Sequence, residues 1–424
     1  MTEVLGWALL VAGGIAVVAV ISALFLPDWP NPEYTLGVEP DPGSEPFVNA
    51  VAAYLNVPIY RGGSVELLQN GDAFFPAMLD AIRAARETVN LEVYIFEADV
   101  TGNKFVDALS ERAQAGVEVR VLVDWFGSLK LGRAGRVALT KAGVRLARFR
   151  PLNLRNLVRI YRRTHRRAIV VDGRLAFTGG AAVSDKWAGD VRNAHEWRDS
   201  MTRITGPLVG GIQAAFAGNW VYCTGEVLSG RRFFPPIPPG DGPCSISLIS
   251  SPSDARQPIR LVFWLCFANA RRRLWICNSY FIPDARLRKA VMDAAVRGVD
   301  VRVLVPGNHT DAVPVQLAGR TMYGKLLRAG VRIWEYQPAM MHAKTVVVDD
   351  RWSVVGSANL DERSMELNEE NVVGIADPGF AGAIVHGMEA DFARSREVTL
   401  EAWQRRPVWQ RALERLATVL VEQY

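Results

Sequence analysis

The sequence contains few of the side chains that build metal sites and disulfides. Only five histidines and four cysteines occur among its 424 residues. The cysteines form no CxxC pair, and no histidine stands in an HExxH arrangement. Disulfide frameworks are typical of small secreted domains with dense cysteines, and zinc sites need characteristic ligand spacing. The sequence therefore predicts reduced thiols and no metal site.

Nucleotide-binding signals are also missing, and lysine is scarce. No P-loop is present, and no GxGxxG element follows a strand-like run, so we expect no cofactor. The chain has 7 lysines against 42 arginines, and its net charge is +5. A mild positive excess suits anionic partners such as phospholipid headgroups or nucleic acid, but many proteins that bind neither also carry it. Charge alone therefore identifies no partner.

A long apolar run occurs once, at the N-terminus. Residues 4–26 are 23 consecutive uncharged residues, and a helix needs about 20 residues to cross the apolar core of a bilayer. Only Glu3 precedes the run as a charge, whereas a cleaved signal peptide begins with basic residues. We predict a retained transmembrane anchor over residues 1–27. Its orientation stays open, because the first basic residue after the run is Arg61.

The next stretch, residues 28–62, is rich in proline, glycine and acidic side chains and is predicted to be an extended linker. From Gly63 onward, apolar strand-like runs alternate with amphipathic helical stretches. This alternation is typical of an α/β fold.

The body contains an internal repeat. ERAQAGVEVRVLVDWFGS at 111–128 matches DAAVRGVDVRVLVPGNHT at 293–310 in helix end, Gly-Val turn and strand. Matching segments precede and follow both in the same order, which is hard to obtain by chance. The repeat predicts a first domain over 63–232, an interdomain linker over 233–243 and a second domain with a C-terminal helix over 244–424.

The C-terminal helix is predicted to be amphipathic. Its apolar residues recur at helical spacing, and five of them can share one face. These are Trp403, Trp409, Leu413, Leu416 and Leu420. Most such helices cover a core, so we expect this one to pack on the body, with a second membrane contact as the alternative.

Each half contains a histidine followed two residues later by a cation. The first half has His165 and Arg167, and the second has His342 and Lys344. Residues two apart in a strand point to the same face, so an imidazole and a cation should face one site in each half. This pair suits a phosphate, because the cation neutralises oxygen charge while the imidazole attacks phosphorus or moves a proton.

An aspartate and a small-residue loop follow each motif. Asp172 and Asp349 lie seven residues beyond the histidines, on the opposite strand face, and are expected to order the turn. The loops are TGGAA at 178–182 and VGSAN at 355–359.

Two HxKx4D-type motifs, each followed by such a loop, resemble the phospholipase D superfamily. The phrases EWRDSMTRITGPLV, MMHAKTVVVDDRWSVVGSANLDERS and LNEEN are similar to those of bacterial cardiolipin synthases in particular. The resemblance covers nearly the whole body. It implies two similar α/β domains with mixed sheets, related by a pseudo-twofold axis, with the two histidine motifs meeting at the interface.

The resemblance also implies a metal-free mechanism in two steps. His165 would be the nucleophile that forms a phosphohistidine, and His342 would be the acid and base for the leaving and accepting alcohols. Asp199 and Glu370 match the carboxylates that orient the histidines. The resemblance makes catalytic residues of both motifs with these carboxylates: His165, Arg167, Asp172, Asp199, His342, Lys344, Asp349 and Glu370. The expected substrate-binding residues are Gly179, Gly180, Gly356, Ser357 and Asn359.

This sequence departs from the family pattern in its first half. Arg167 replaces the usual lysine, and Ala182 stands where the second motif has Asn359. Arginine keeps the charge but is longer and planar, so the departure indicates a retuned site or, as the alternative, an inactive one.

The function implied is phosphatidyl transfer, foremost cardiolipin synthesis from two phosphatidylglycerols with release of glycerol. The expected partners are phospholipids and a membrane, without nucleic acid, and the expected location is the bacterial inner membrane with the body on the cytoplasmic side. Three alternatives stay open: a hydrolytic phospholipase D, a nuclease of the same superfamily and a catalytically silent membrane scaffold.

Overall fold

A computed structural model of the chain describes residues 13–14, 34–37, 40–153, 161–251 and 257–421. The predicted transmembrane anchor lies outside the described residues, apart from Gly13 and Gly14. Within the ranges given, no helix combines the length and the apolar character needed to span a bilayer. The chain divides into two units, Met1–Val38 and Glu39–Tyr424, and the description below concerns the second.

The strands of the described residues form two mixed sheets. The first seven in chain order after β1 (Ile59–Arg61) are β2 (Val65–Gln69), β3 (Thr88–Val93), β4 (Glu118–Asp124), β5 (Arg145–Phe149), β6 (Ala168–Val171), β7 (Leu175–Gly179) and β8 (Ser200–Thr205). The others are β9 (Cys244–Ser250), β10 (Arg273–Cys277), β11 (Asp300–Pro306), β12 (Arg332–Tyr336), β13 (Thr345–Val348), β14 (Trp352–Gly356), β15 (Glu370–Ala376) and β16 (Ser395–Val398).

The two sheets repeat one topology. The seven-stranded sheet has the order β2-β8-β7-β6-β3-β4-β5, and the nine-stranded sheet has the order β1-β9-β15-β14-β13-β10-β11-β12-β16. Adding seven to each strand number in the first order gives the second order from β9 to β12. Strands β1 and β16 extend the nine-stranded sheet at its two edges. Each sheet contains three consecutive parallel strands, β3-β4-β5 in one and β10-β11-β12 in the other, and the first strand of each trio pairs antiparallel with β6 or β13. The repeat seen in the sequence is therefore a repeat of strand order, and the predicted α/β fold with mixed sheets is confirmed.

Helices connect and cover the sheets. The described helices are α1 (Glu45–Leu55), α2 (Gly71–Ala84), α3 (Val100–Gln114), α4 (Gly132–Lys141), α5 (Leu208–Thr224), α6 (Pro258–Asn269), α7 (Ala285–Val296), α8 (Val313–Arg320), α9 (Tyr323–Arg328), α10 (Pro378–Ala393), α11 (Leu400–Gln404) and α12 (Val408–Val421). The Gly-Val turns of the repeat end α3 and α7, where Gly116 and Gly298 have φ angles of 90° and 91°. This left-handed conformation closes a helix and favours glycine.

Residues 45–61, which the sequence predicts to be extended linker, instead form α1 and β1. Ser44 caps α1 by accepting a hydrogen bond from Phe47 N (3.4 Å), and β1 pairs with β9. The ring of Phe47 packs edge-on against that of Trp352, with centroids 5.3 Å apart. Proline misled the prediction, because Pro46 lies in the first turn of the helix, where no backbone N–H is needed.

The two halves share a hydrophobic core. Ala168 and Val170 of β6 join a cluster that also includes Val347 of β13 and Val373 of β15. The helices α5 and α10, which follow β8 and β15, both pack on strands of the two sheets. Between α5 and β9, residues 225–243 run without helix or strand, and the predicted interdomain linker falls within this segment.

Candidate active site

Each motif histidine lies in the extended segment just before a strand. His165 and Arg167 precede β6, and His342 and Lys344 precede β13. In each pair the cation reaches the ring of its own histidine: Arg167 Nη2 is 2.9 Å from His165 Nε2, and Lys344 Nζ is 3.2 Å from His342 Nε2. Both halves therefore place an imidazole and a cation side by side.

The carboxylates that hold the imidazoles are exchanged between the halves. His165 Nδ1 lies 3.0 Å from Glu370 Oε1, and His342 Nδ1 lies 2.7 Å from Asp199 Oδ2. The first half thus supplies the carboxylate for the histidine of the second, and the second half does the same for the first. The sequence predicts both carboxylates but does not show which histidine each one holds.

Backbone hydrogen bonds fix this exchange. His165 N donates to Glu369 O (2.8 Å), and His342 N donates to Arg198 O (2.7 Å). Each acceptor stands immediately before the carboxylate residue, so the segment carrying a histidine lies against the segment carrying its carboxylate. The two bonds are reciprocal between the halves.

The two carboxylates are held by different neighbours. Glu370 accepts hydrogen bonds from the hydroxyls of Ser357 (2.5 Å) and Ser364 (2.9 Å). Asp199 accepts from the indole of Trp187 (2.8 Å) and from Ser200 N (2.7 Å). All four of these hydrogen-bonding residues are buried. They hold both carboxylates rigidly, and the carboxylates in turn orient the imidazoles.

The hydrogen bonds define the tautomer of both rings. A guanidinium can only donate, so His165 Nε2 beside Arg167 carries the lone pair. Lys344 Nζ lies 3.1 Å from Nδ1 and 3.2 Å from Nε2 of His342 and does not distinguish them, but the carboxylate of Asp199, 2.7 Å from Nδ1, can only accept, so Nε2 of His342 carries the lone pair. The Nδ1 atoms then carry the proton and donate it to Glu370 and Asp199. An imidazole in this tautomer presents a nucleophilic nitrogen on the side away from its carboxylate.

Burial and the adjacent cations keep both imidazoles neutral. Burial, followed by the charge of Arg167, lowers the pKa of His165 to about 4, and burial with Lys344 lowers the pKa of His342 to about 4. Burial favours protonation of Glu370, but His165 and the hydrogen bonds outweigh it, so the pKa of Glu370 lies below its ordinary value. At neutral pH the site therefore pairs neutral imidazoles with ionised carboxylates.

Both histidines line one cavity of about 240 Å³. Arg167 also lines it, so the cavity holds two lone-pair nitrogens and a fixed positive charge. A phosphodiester needs these features, since an imidazole can attack phosphorus while cations stabilise the charge on its oxygens. The remaining wall is polar and aromatic and comes from both halves, with Tyr94 and Trp197 from the first and Tyr280, Asp311, Asn359 and Asp361 from the second.

Asp172 and Asp349 serve the turns at the far ends of β6 and β13. Asp172 accepts backbone hydrogen bonds from Arg86, Glu87 and Thr88, at 2.8–3.2 Å. Asp349 accepts equivalent bonds from residues 271–273, at 2.7–3.3 Å. Neither aspartate lines the cavity. The structure thus gives them a turn-ordering position, as the strand parity predicts, although the family motif counts them with the catalytic residues.

The small-residue loops allow β-strands to approach the carboxylates. A Cβ atom on Gly180 would lie 2.2 Å from Asp199 Oδ1, and one on Gly179 or Gly356 would lie 2.4 Å from a backbone oxygen of the next strand. Ser357 was expected to bind substrate, but its hydroxyl donates to Glu370. Of the five predicted substrate-binding residues, Asn359 is the one that lines the cavity.

Ala182 occupies an apolar environment instead. It belongs to the hydrophobic core of the first half, with 2% of its surface exposed. The first half therefore contributes no amide at the position where the second contributes Asn359.

Several site residues are missed by motif reasoning. Ser364 and Trp187 hold the carboxylates, and Tyr94 and Tyr280 line the cavity beside the histidines. Alignment of the two halves could have identified Ser364 and Trp187. Each stands seven residues after the aligned loop positions Ser357 and Gly180. The remaining histidines, at 195, 309 and 386, are exposed.

Comparison with known proteins gives consistent results for sequence and structure. The profile of the family described as "Cardiolipin synthase, PLD-like domain" matches residues 78–194 and 265–396. The chain is 37% identical over 349 residues to cardiolipin synthase A of Pseudomonas putida, covering 82% of this chain and 72% of that protein. It is 36% identical over 355 residues to cardiolipin synthase A of Pseudomonas aeruginosa, covering 84% and 72%.

A solved structure shares the fold. The crystal structure of phosphatidylserine synthase from Haemophilus influenzae superposes with a TM-score of 0.65 at 17% identity, covering 89% of this chain and 98% of that one. At this identity the likeness shows the fold alone.

The two matched segments of the family profile correspond to the two halves of the repeat. The first contains His165 with Arg167, and the second contains His342 with Lys344 and Glu370. Together the profile covers more than half of the chain, and the curated relatives extend the match over most of the body. The chain belongs to the cardiolipin synthase family of phospholipase D-like enzymes.

Proposed function

We propose that this enzyme transfers a phosphatidyl group from one phosphatidylglycerol to another, producing cardiolipin and glycerol through a phosphohistidine on His165. One observation supports the proposal above the others. Two neutral imidazoles, each oriented by a carboxylate of the opposite half and each beside a cation, line a single cavity. The names of the curated relatives support the choice of lipid.

The first step forms the covalent intermediate. The Nε2 lone pair of His165 attacks phosphorus, the bond from phosphorus to the glycerol oxygen breaks, and His342 donates a proton to that oxygen. Glu370 accepts the Nδ1 hydrogen bond of His165 and stabilises the positive charge that the ring acquires. Arg167 neutralises charge on the phosphoryl oxygens.

The second step transfers the group. The hydroxyl of a second phosphatidylglycerol gives its proton to His342, its oxygen attacks phosphorus, and the bond to His165 breaks. His342 therefore recovers the proton that it donated. His342 takes up its first proton from solvent when substrate binds, because a phosphodiester anion in the cavity raises the pKa of His342 from about 4.

The direct test uses purified full-length protein and labelled phosphatidylglycerol, with and without added glycerol. Cardiolipin as the main product, formed with release of glycerol and reduced when glycerol is added, supports the proposal. Phosphatidic acid as the main product would make the enzyme a hydrolase. Neither product, together with no phosphohistidine, would indicate the silent scaffold.

One feature of the cavity favours an alcohol acceptor over water. Asp311 and Asp361 line the wall, and Tyr280 donates to Asp311 (2.7 Å). Carboxylates repel a phosphate but accept hydrogen bonds from hydroxyl groups. They therefore suit the glycerol headgroup of an acceptor lipid.

Asp361→Asn is accordingly expected to lower the ratio of cardiolipin to phosphatidic acid by about tenfold, the effect of one hydrogen bond to a charged group. The amide can still accept the hydrogen bond that Ser364 N donates to Asp361 (2.7 Å), so the loop is retained. The two products from labelled phosphatidylglycerol give the ratio. Glu389→Gln, at an exposed carboxylate outside the cavity, is the matched control. An unchanged ratio in Asp361→Asn would contradict the acceptor site.

Lys344 gives an expected pH dependence. Burial lowers the pKa of Lys344 to about 7, although Asp199 opposes the shift. The lysine loses its proton and its charge as pH rises through this value, so kcat/KM should fall above about pH 7. Lys344→Arg keeps its proton at high pH and is expected to move this alkaline limb upward. A pH profile of kcat/KM for both proteins is the measurement, and identical alkaline limbs would exclude Lys344 as the titrating group.

Chelators are expected to leave the rate unchanged. The positive charge that phosphoryl transfer requires is supplied by Arg167 and Lys344, each within 3.2 Å of its histidine ring. The measurement is the rate of cardiolipin formation before and after treatment with EDTA. A loss of activity that a divalent ion restores would contradict the two-cation mechanism.

A further inference from the structure

The last helix, α12, presents an apolar face to solvent. Trp409, Leu413 and Leu416 are 66%, 46% and 61% exposed. They stand at positions i, i+4 and i+7 and therefore share one face of the helix. We call these three residues the C-terminal stripe.

The buried face of α12 contains Glu414 and Ala417. Glu414 is 1% exposed and forms ion pairs with Arg406 (3.1 Å) and with Arg320 of α8 (3.6 Å). Rotating the helix to bury the stripe would separate Glu414 from these partners, and breaking a buried ion pair is strongly unfavourable. The helix packs on the body along α8, as predicted, but Trp409, Leu413 and Leu416 of its predicted inward face are exposed.

The surroundings of the stripe are basic. Arg415 is exposed beside Leu416, and the segment 400–421 contains four arginines against two glutamates. A helix with tryptophan and leucine on one face and arginines at its margin is typical of helices that lie in the interface of an anionic membrane. Two copies of the chain meeting through this face would bring their arginines together, which disfavours a dimer.

The stripe is also close in the fold to the active site. α12 packs along α8, and α8 begins at Val313, two residues after Asp311 of the cavity wall. Val313 is itself 54% exposed. A membrane that contacts α12 is thus linked through one helix to the wall that receives the substrate.

We infer that the C-terminal stripe inserts into the interface of a bilayer containing anionic phospholipid and holds the body against the surface from which substrate enters. This contact is separate from the N-terminal anchor predicted from the sequence. It rests on the proposed function only in that the substrate is a membrane lipid.

Quenching by brominated lipid tests the contact directly. The full-length protein is reconstituted in vesicles of phosphatidylglycerol, with or without brominated acyl chains, and the tryptophan fluorescence is compared. Trp409→Phe is expected to remove a measurable share of the quenching. Trp403→Phe is the matched control, because Trp403 lies six residues away, is 5% exposed and should not meet lipid. Equal quenching in wild type and Trp409→Phe would overturn the inference.

An activity test separates this inference from the proposed function. Leu416→Glu is expected to lower kcat/KM toward phosphatidylglycerol vesicles about tenfold, as loss of one buried leucine does, and to leave the rate on monomeric short-chain phosphatidylglycerol unchanged. Val296→Glu introduces the same charge at a valine that is 74% exposed on α7 and should have no effect. If wild type forms no cardiolipin from either lipid, the proposed function fails, while the quenching result still decides the membrane contact.

A second copy of the chain is the competing occupant. It predicts that wild type dimerises without lipid, that Leu416→Glu is monomeric by analytical ultracentrifugation, and that brominated lipid does not quench Trp409. This combination would replace the bilayer by a dimer interface.

Discussion

His165→Ala is expected to abolish phosphatidyl transfer and to leave no covalent intermediate. His165 Nε2 carries the lone pair that attacks phosphorus, and its Nδ1 is held by Glu370 at 3.0 Å. Among the described residues lining the cavity, His342 also carries an oriented ring-nitrogen lone pair, but its carboxylate partner is Asp199 and its cation is Lys344. Losing a nucleophile removes several orders of magnitude of rate, because the reaction must then proceed in one step.

His342→Ala is also expected to abolish transfer between two phosphatidylglycerols, but for another reason. Without it, the glycerol oxygen leaves without a proton, and general acid catalysis typically contributes about 10²–10⁴-fold. An aryl ester of phosphatidic acid, whose phenolate leaves without protonation, separates the two roles. With this substrate His342→Ala should release one equivalent of phenolate per protein and then stop, with the phosphatidyl group bound to His165.

The measurement is the amplitude of the phenolate burst, together with detection of phosphohistidine at residue 165 by mass spectrometry. His165→Ala should show no burst. A burst in His165→Ala and none in His342→Ala would exchange the two roles, and substantial transfer activity in either variant would exclude the two-histidine mechanism. His195→Ala is the control, because His195 is exposed and does not line the cavity.

Arg167→Ala is expected to lower kcat/KM by at least about two orders of magnitude, as removal of one preorganised donor at a developing charge does. Arg167 Nη2 lies 2.9 Å from His165 Nε2, the atom that attacks phosphorus, and the side chain is 2% exposed. The charge of Arg167 is therefore fixed beside the nitrogen proposed to attack phosphorus. Wild-type kinetics in Arg167→Ala would mean that the first motif contributes no cation, and the symmetric site would have to be abandoned.

The pH profile distinguishes this electrostatic role from a structural one. Arg167 helps to lower the pKa of His165 to about 4. Its removal should raise that pKa, so His165 becomes protonated at a higher pH, and the acidic limb of kcat/KM should move upward in Arg167→Ala. Arg167→Lys keeps the charge, and its acidic limb should stay near the wild-type position.

Arg167→Lys is expected to be active but slower than wild type. In the second half, Lys344 donates a hydrogen bond to Ser279 (2.8 Å), which helps to hold the ammonium. Tyr94 stands at the position equivalent to Ser279, two residues before the matched bridges at Phe96 and Phe281. The hydroxyl of Tyr94 stands at the end of an aromatic ring and not on the β-carbon, so a lysine at position 167 lacks the serine hydroxyl that Lys344 has, whereas the longer arginine reaches His165 without it.

The repeat made most of the fold predictable. The matched sequence segments correspond to the helix ends and strands that build the centre of each sheet, from β3 to β5 and from β10 to β12. Strand order repeats because each half has the same pattern of buried runs and glycine turns. The pairing of each histidine with its cation was equally predictable, because residues two apart in an extended chain have their side chains on the same side.

The exchange of carboxylates could not be read from the sequence. Asp199 and Glu370 occupy equivalent positions in their halves, and either histidine is a possible partner for each. The choice depends on how the halves dock, which is determined by the shared core around Val170 and Val347. The role of Ser357 depends on the same docking, because Glu370 turns toward His165 and the serine hydroxyl then reaches Glu370.

At the two ends of the body, composition and periodicity did not predict the structure fully. Pro46 suggested a linker but begins a helix, since the first turn does not require its N–H. Periodicity identified the apolar face of α12 but not its direction. The ion pair of Glu414 with Arg320 determines which face of α12 is buried. Arg320 is almost a hundred residues away along the chain, so local periodicity does not reveal this contact.

The crossed pairs Glu370–His165 and Asp199–His342 have a consequence for genetics. A substitution in the second half at Glu370 disables the nucleophile of the first, and one at Asp199 disables the acid and base of the second half. A mutant phenotype therefore cannot be assigned to one catalytic step from the half in which the mutation lies. The two halves are therefore under joint selection. They can diverge, as Arg167 and Lys344 have, but if either half loses its carboxylate, the histidine of the other half loses its function.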